Sequence, residues 1–234
     1  MPILKKILIA TTNPGKFAEI SAMLDADVDW VGLSNFPNLN EVKESSETFA
    51  ENARKKAISY AKQTGLWTLA DDSGIVIDAL GGEPGVKSAR FADFLPQRHQ
   101  DTKEKRIKVN IQTPILGERR ETSDERRTID HKNMDKVLKL LQNVPKERRK
   151  ARFVCCLCLA SPERILAETE GRLEGLIAEK EIGENGFGYD PIFFLPKLNK
   201  TVAQLSAEEK NTISHRGNAI RKLKPLLNNL LEKN

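Results

Sequence analysis

Long apolar runs are missing from this 234-residue chain. The longest uncharged one, Phe153 to Pro162, is about half of what a bilayer span needs, so no segment is expected to cross a membrane. The opening, Met1 to Ala10, places basic residues before an apolar stretch too short for a signal-peptide core and reads as a first strand. Histidine is scarce, and His99, His131 and His215 are too far apart in sequence for a local metal site. Cysteine is confined to Cys155, Cys156 and Cys158 within one apolar run, which excludes a dispersed disulfide framework and points to a reducing compartment, the cytoplasm. No second Cys or His pair stands at zinc spacing, so these thiols are expected in the core. G-x-x-x-x-G-K-[ST], G-x-S-x-G and H-E-x-x-H are all absent, which excludes a P-loop NTPase, a nucleophile-elbow hydrolase and a zincin protease. No internal repeat is visible. What is present, 39% hydrophobic and 30% charged residues, is the composition of an ordinary globular chain.

The formal charge of +5 is local. Residues 98 to 150 hold 16 Lys or Arg against 9 Asp or Glu, whereas the remainder holds 22 against 24. The basicity therefore belongs to one stretch and not to the whole surface.

Strand and helix signals alternate, which predicts an α/β protein. A strand over Lys6 to Thr11 leads into a helix with Asn13 as N-cap and Pro14 at its first position. A second helix is expected from Ser45 or Ser46, presenting Phe49, Ala53, Ala57 and Tyr60 on one face until Gly65 stops it. Trp67 to Ala70 reads as a strand ending in the turn-like Asp71-Asp72-Ser73-Gly74, and Ile75 to Leu80 continues as strand or extended chain. From Phe94 to Asp130 periodicity fails and charge dominates; a helix is expected at Asn133 to Gln142, then a strand at Ala151 to Ala160 covered on both faces. Glu168 to Glu174 reads as a further strand. Ser206 and Glu209 form a capping box, and Ser214 caps a last helix to Leu231 that Pro225 should kink or interrupt.

Four polar features stand at the ends of these elements. Thr11-Thr12-Asn13-Pro14-Gly15-Lys16 combines a helix N-terminus with a lysine, a combination suited to phosphate, or simply to capping the helix. Asp71 and Asp72, with Glu44 ahead of the second helix, offer oxygen ligands to a hard cation such as Mg2+, or are solvated carboxylates. Gly186-Phe187-Gly188-Tyr189-Asp190-Pro191 sets two aromatics among glycines, open either to a flat ring or to a loop anchored by its own aromatics. Lys210 with Ser214-His215-Arg216 gathers donors near a helix start.

Together with Thr48-Phe49-Ala50-Glu51-Asn52-Ala53 and Gly81-Gly82-Glu83-Pro84-Gly85-Val86-Lys87-Ser88-Ala89-Arg90, these motifs resemble, in order and spacing, the inosine triphosphate pyrophosphatase family over about residues 6 to 92 and 133 to 225. The resemblance implies a Mg2+-dependent enzyme of one domain and two lobes. Its expected fold is an elongated mixed β-sheet with helical lobes flanking a central active-site cleft, and its expected assembly is a homodimer. It implies hydrolysis of ITP, dITP and XTP to the monophosphate and pyrophosphate. On matching positions, Thr11, Thr12, Asn13, Pro14, Gly15 and Lys16 are the expected triphosphate cradle. Glu44 and Asp72 are the expected metal acids, with Asp72 also the base. Ser73, Phe187, Gly188, Tyr189, Asp190, Lys210, His215 and Arg216 are the expected substrate contacts. Lys43-Glu44-Ser45-Ser46 carries one acid where the family commonly has two.

Residues 94–130 depart from the family as a basic insertion of roughly 30 residues, with Phe94 its single aromatic, which disfavours stacking on single-stranded nucleic acid. A second class remains open: a module that kept the fold, lost turnover and uses this insertion to bind RNA or a nucleotide.

Overall fold

A computed structural model describes residues 5–24, 26–94 and 123–233. Its elements run β1 (Lys5–Ala10), α1 (Pro14–Met23), β2 (Val28–Gly32), α2 (Phe49–Thr64), β3 (Trp67–Ile77), α3 (Ser123–Leu140), β4 (Lys150–Ala160), β5 (Ile165–Ile177), β6 (Phe193–Leu195), β7 (Lys200–Thr201), α4 (Ala207–Ile213) and α5 (His215–Glu232). The strands form one mixed sheet in the order β2-β1-β3-β4-β5-β6-β7. β2, β1 and β3 are parallel, and every pairing from β3 to β7 is antiparallel. The expected α/β fold with an elongated mixed sheet is the one observed.

Side-chain alternation on β3 divides the core between the two faces. Leu69 enters one apolar cluster with Ile20, Leu157 and Leu223 from α1, β4 and α5. Ile75 and Ile77, on the same face farther along, enter a second cluster with Met134 and Val137 of α3. Ala70 and Val76 face the opposite side, where Ala53, Ala57 and Tyr60 of α2 cover the sheet. Between the first two clusters the odd-numbered positions are Asp71 and Ser73, so the apolar cover of that face is interrupted by a polar band.

β3 does not stop at Ala70. It continues unbroken through Asp71-Asp72-Ser73-Gly74, because β4 supplies a paired residue at every position from Thr68↔Ala160 to Ile77↔Ala151. The turn expected there is absent, since its backbone groups are satisfied by a neighbouring strand. Gly74 admits a close crossing: a Cβ at that position would lie 2.7 Å from the Gly85 carbonyl oxygen.

Other boundaries shift for local reasons. α2 begins after Thr48, whose hydroxyl accepts the Glu51 N–H, and not at Ser45 or Ser46; Gly65 closes it at φ 72°. α3 begins ten residues ahead of the expected Asn133, at Ser123, with Asp124 and Glu125 in a first turn that favours negative charge. The 94–130 stretch is thus helical from Ser123 onward; its residues 95–122 lie outside the described residues. α5 is one helix through Pro225, whose exposed position leaves the carbonyl it cannot pair open to water. Asn13, Ser206 and Ser214 cap their helices as the sequence suggests. All three cysteines are buried and free. Among the described residues no helix is long and apolar enough to cross a membrane.

Candidate active site

The site lies where β1 ends and β3 does not. Ala10 pairs with Ala70 as the last rung between them, and the chain then turns through Thr11 to Asn13 into α1. Asp71 and the residues after it therefore stand at the carboxyl end of a parallel pair, where α/β sheets open a crevice. The Asn13 side chain accepts the N–H groups of Gly15 at 2.9 Å and Lys16 at 3.2 Å, and Thr11 Oγ1 accepts the Asn13 N–H. Much of the expected backbone cradle is thus already capped. The fixed cation at this turn is Lys16, while Thr12 and Pro14 are exposed.

Asp71 is a hub on the α1/α5 face. Oδ1 accepts from Lys16 Nζ at 2.5 Å and Ser73 Oγ at 3.1 Å, and Oδ2 accepts from Arg216 Nε at 3.0 Å and the Cys155 thiol at 3.1 Å. A carboxylate has about four lone-pair sites, and all are occupied. Burial pushes Asp71 upward, but Arg216 and Lys16 outweigh it and hold the carboxyl well below the usual range. Burial, reinforced by Asp71, keeps Cys155 a neutral thiol. Asp71 is a permanent anion that fixes two cations.

Asp72 points to the opposite face, towards α2. Lys56 Nζ donates to Glu44 Oε1 at 2.7 Å, to the Asp71 carbonyl oxygen at 2.5 Å and to Asp72 Oδ1 at 3.4 Å. Asp72 Oδ2 is buried and has no partner. Burial is the largest influence on Asp72 and lifts it to about 6, against the pull of Lys56 and Lys16. Glu44, also raised by burial, ends below its ordinary value because Lys56, Lys16 and Arg90 prevail. Lys56 keeps its proton because Asp72 and Glu44 overcome its desolvation.

Among the described residues no group of three or more His, Cys, Asp or Glu side chains gathers as a ready-made metal cage. Two carboxylates, one with an orphaned buried oxygen, nevertheless fit Mg2+, which usually takes one or two carboxylates and completes its shell with waters and substrate phosphates.

A second polar group closes the crevice on the α1/α5 face. Glu19, one turn beyond Lys16, accepts from Lys210 Nζ at 2.8 Å and from Arg216 Nη1. Asp190 accepts from Lys210 at 2.6 Å and from the Phe187 N–H at 3.0 Å. Desolvation lowers Lys210, but Asp190 and Glu19 overcome it, so the ammonium persists. Lys210 Nζ stands 4.3 Å from the centre of the Phe187 ring. That ring rests on Gly15, where a Cβ would come within 2.7 Å of it. His215 is buried and stacks on Phe153 at 4.8 Å. Burial, with Arg216 and Lys210 nearby, holds it neutral, and its Nδ1 has no protein partner.

The structure thus gathers Lys16, Ser73, Phe187, Lys210, His215 and Arg216 around one crevice, with Glu44 and Asp72 beside Lys56 on the opposite, α2 side of β3. Tyr189 and Asp190 are buried in its walls. Tyr189 donates its hydroxyl to the Ser88 carbonyl, and Gly188 serves as a backbone donor. Sequence reasoning missed Lys56, Glu19 and the work done by Asp71 and Cys155. Lys56 had a signal, since it falls on the buried stripe of α2 with Asn52, Ala53, Ala57 and Tyr60. Glu19 had none, because its partners come from α4 and α5.

A family model described as the Ham1 family matches residues 7–123 and 118–226. A dITP/XTP pyrophosphatase of Bacillus cereus is 42% identical over 226 residues, covering 95% of each chain. One from Listeria monocytogenes serotype 4b is 40% identical over 233 residues, covering 98% of each. Among solved structures, the Ham1 protein of Staphylococcus aureus matches with a TM-score of 0.73 at 37% identity, over 96% of this chain and 99% of that one. A HAM1 protein from Coxiella burnetii matches with a TM-score of 0.74 at 34% identity, over 97% and 100%.

Proposed function

Because this chain belongs to the Ham1 family, we propose that it hydrolyses non-standard purine nucleoside triphosphates, dITP, ITP and XTP, to the monophosphate and pyrophosphate. The observation that carries the reading is Asp72: a buried carboxylate with one unpartnered oxygen, lifted to about 6, beside Glu44 and two lysines. The Bacillus cereus and Listeria monocytogenes relatives, which the chain matches over essentially their full length, are dITP/XTP pyrophosphatases.

The chemistry follows from charge. Water attacks the α-phosphorus as pyrophosphate leaves, and the build-up of negative charge on phosphoryl oxygens is the main obstacle. Lys16 is held by Asp71 towards the phosphates, and Lys56 is held by Glu44 beside the reacting centre. Asp72 Oδ2 orients the attacking water and takes its proton; with a midpoint of about 6, Asp72 is ionised at neutral pH and a stronger base than an ordinary aspartate. Glu44 and Asp72 would hold Mg2+, which when bound supplies Lewis-acid polarisation and an acidified water. Phe187 offers the base a stacking face. Lys210 and Arg216 offer donors to O6 of hypoxanthine or xanthine, where adenine carries an amino group.

The enzyme is one domain of two lobes, acts in the cytoplasm and works as a homodimer in this reading. Its buried free cysteines suit a reducing compartment, and light scattering on the purified protein tests the dimer.

Pyrophosphate release from dITP, XTP, ITP, ATP and GTP, each with Mg2+ and with a chelator, tests the rest. Specificity constants for the first three far above those for ATP and GTP, and dependent on Mg2+, are expected. Equal rates on all five, or nucleotide binding without pyrophosphate release, would refute the reading.

A further inference from the structure

The segment Gly186–Asp190 brings Phe187 onto Gly15, so its position decides how wide the crevice is. Two of its consecutive N–H groups are received by carboxylates from different places. Phe187 N–H goes to Asp190 of the same loop, while Gly188 N–H goes to Asp130 Oδ2 at 2.8 Å, an acceptor 58 residues away on α3. We propose that Asp130 is a positioning residue for nucleotide binding: by holding the Gly188 N–H it sets where Phe187 lies over the α1 N-terminus.

Three observations support this. Gly188 sits at φ 63°, in the left-handed region, so the loop reverses direction at the residue Asp130 grips. The loop's other anchors come from elements other than α3: Asp190, which receives the Phe187 N–H, is held by α4. Tyr189 is tied to Ser88 at 2.8 Å and Asp190 to Lys210 at 2.6 Å, so among the described residues Asp130 is the hydrogen-bond partner that α3 offers Gly188. α3 itself is fastened to the segment before residue 95: Asn133 receives the Ala92 N–H at 2.7 Å and donates to the Ala89 carbonyl at 3.2 Å. Asp130 therefore transmits the position of a docked helix to a loop that reaches the other lobe. A carboxylate accepting a main-chain N–H makes one of the stronger hydrogen bonds available.

The effect on kinetics rests on the pyrophosphatase reading; the effect on the loop does not. Asp130→Ala removes the acceptor, Asp130→Asn keeps one as an amide carbonyl, and Asp135→Ala changes an exposed charge on the same helix as a control. For dITP hydrolysis, Asp130→Ala is expected to raise KM about tenfold with kcat within about twofold, and Asp130→Asn to return KM to within about threefold of the parent. Amide hydrogen exchange should quicken at 186–190 in the Ala variant and stay unchanged along α3. An unchanged KM and unchanged exchange at 186–190 in Asp130→Ala would overturn the proposal. So would an Asn variant as impaired as the Ala variant, or exchange that quickens across the whole molecule. A parent protein that hydrolyses no nucleotide would refute the activity alone, since exchange still reads the latch.

Discussion

Lys56 should set the proton affinity of Asp72, and replacing it isolates that effect. The ammonium lies 3.4 Å from Asp72 Oδ1. One charge pair at that distance is worth ~1 kcal/mol in bulk water and ~5 kcal/mol at an effective dielectric of about 20. That is about one to more than three pH units in the midpoint of the carboxyl. Asp72 begins at about 6 with Lys56 present. Lys56→Met should carry it to about 7 or beyond, helped by Glu44, whose charge Lys56 no longer screens. The direct measurement is a carboxyl 13C NMR titration of the metal-free protein. Lys56→Arg, which keeps the charge, should restore a midpoint near the parent's. In the kinetics, the acid limb of kcat/KM should move to higher pH in the Met variant, so activity at pH 7 falls while activity at pH 9 recovers in part. A midpoint near 6 in Lys56→Met would refute the reasoning, because desolvation alone would then account for the raised value.

The two aspartates should respond differently to the same change. Asp72→Asn is expected to abolish pyrophosphate release while nucleotide binding, followed by calorimetry, stays largely intact. Asp71→Asn leaves Lys16 and Arg216 partly uncompensated and should cost about 3–5 kcal/mol of stability in urea unfolding. The pH dependence of stability carries opposite signs at these residues. Asp71, depressed in the folded chain, stabilises above the ordinary carboxylate range and loses that contribution as the pH falls. Asp72, raised by folding, subtracts stability as the pH rises from about 4 to about 6, so removing it should flatten that part of the unfolding profile. Cys155→Ser keeps a donor to Asp71 and should be nearly neutral, whereas Cys155→Val should cost about 1–3 kcal/mol by leaving a lone pair of a buried carboxylate unmet. Gly171→Ala would drive a Cβ into the His215 carbonyl at the start of α5. It should lower stability by about 1–3 kcal/mol and raise KM by moving Arg216, as thermal unfolding and steady-state kinetics would report.

The elements with strong local signals were readable from residues alone. Asn13-Pro14, the Ser206/Glu209 box and the Val154 to Ala160 run each carry their own cause, a cap or a continuous apolar strand, and the structure keeps them. The break expected at Asp71-Asp72-Ser73-Gly74 was misleading because polarity and glycine normally end a strand. Here β4 pairs the backbone and buried cations satisfy Asp71, and neither condition is visible within a local window. α3 was truncated at its start because Ser123 to Asp130 has little apolar periodicity; its support is first-turn acid and docking farther along. The site residues taken from four polar features are brought together by the fold around β3, but their division of labour was hidden. It depends on partners as distant as Glu19 with Arg216 and Cys155 with Asp71.

Adjacent carboxylates with different tasks follow from strand geometry. Neighbours on β3 face opposite sides, so Asp71 meets α1 and α5 while Asp72 meets α2. On the first side, Lys16, Arg216, Ser73 and Cys155 fill every acceptor position, and an anion so satisfied has no oxygen left for water or metal. On the second side, a single lysine shared with Glu44 and a carbonyl leaves Asp72 Oδ2 unmet. A one-residue slip of β3 against β4 would exchange these faces, placing the saturated environment on the reactive acid and the sparse one on the structural acid. In the proposed mechanism the uninterrupted register from Thr68↔Ala160 to Ile77↔Ala151 is therefore required for catalysis as much as for structure. The strand continues through the polar motif because only a paired, alternating backbone can keep two neighbouring acids in environments this different.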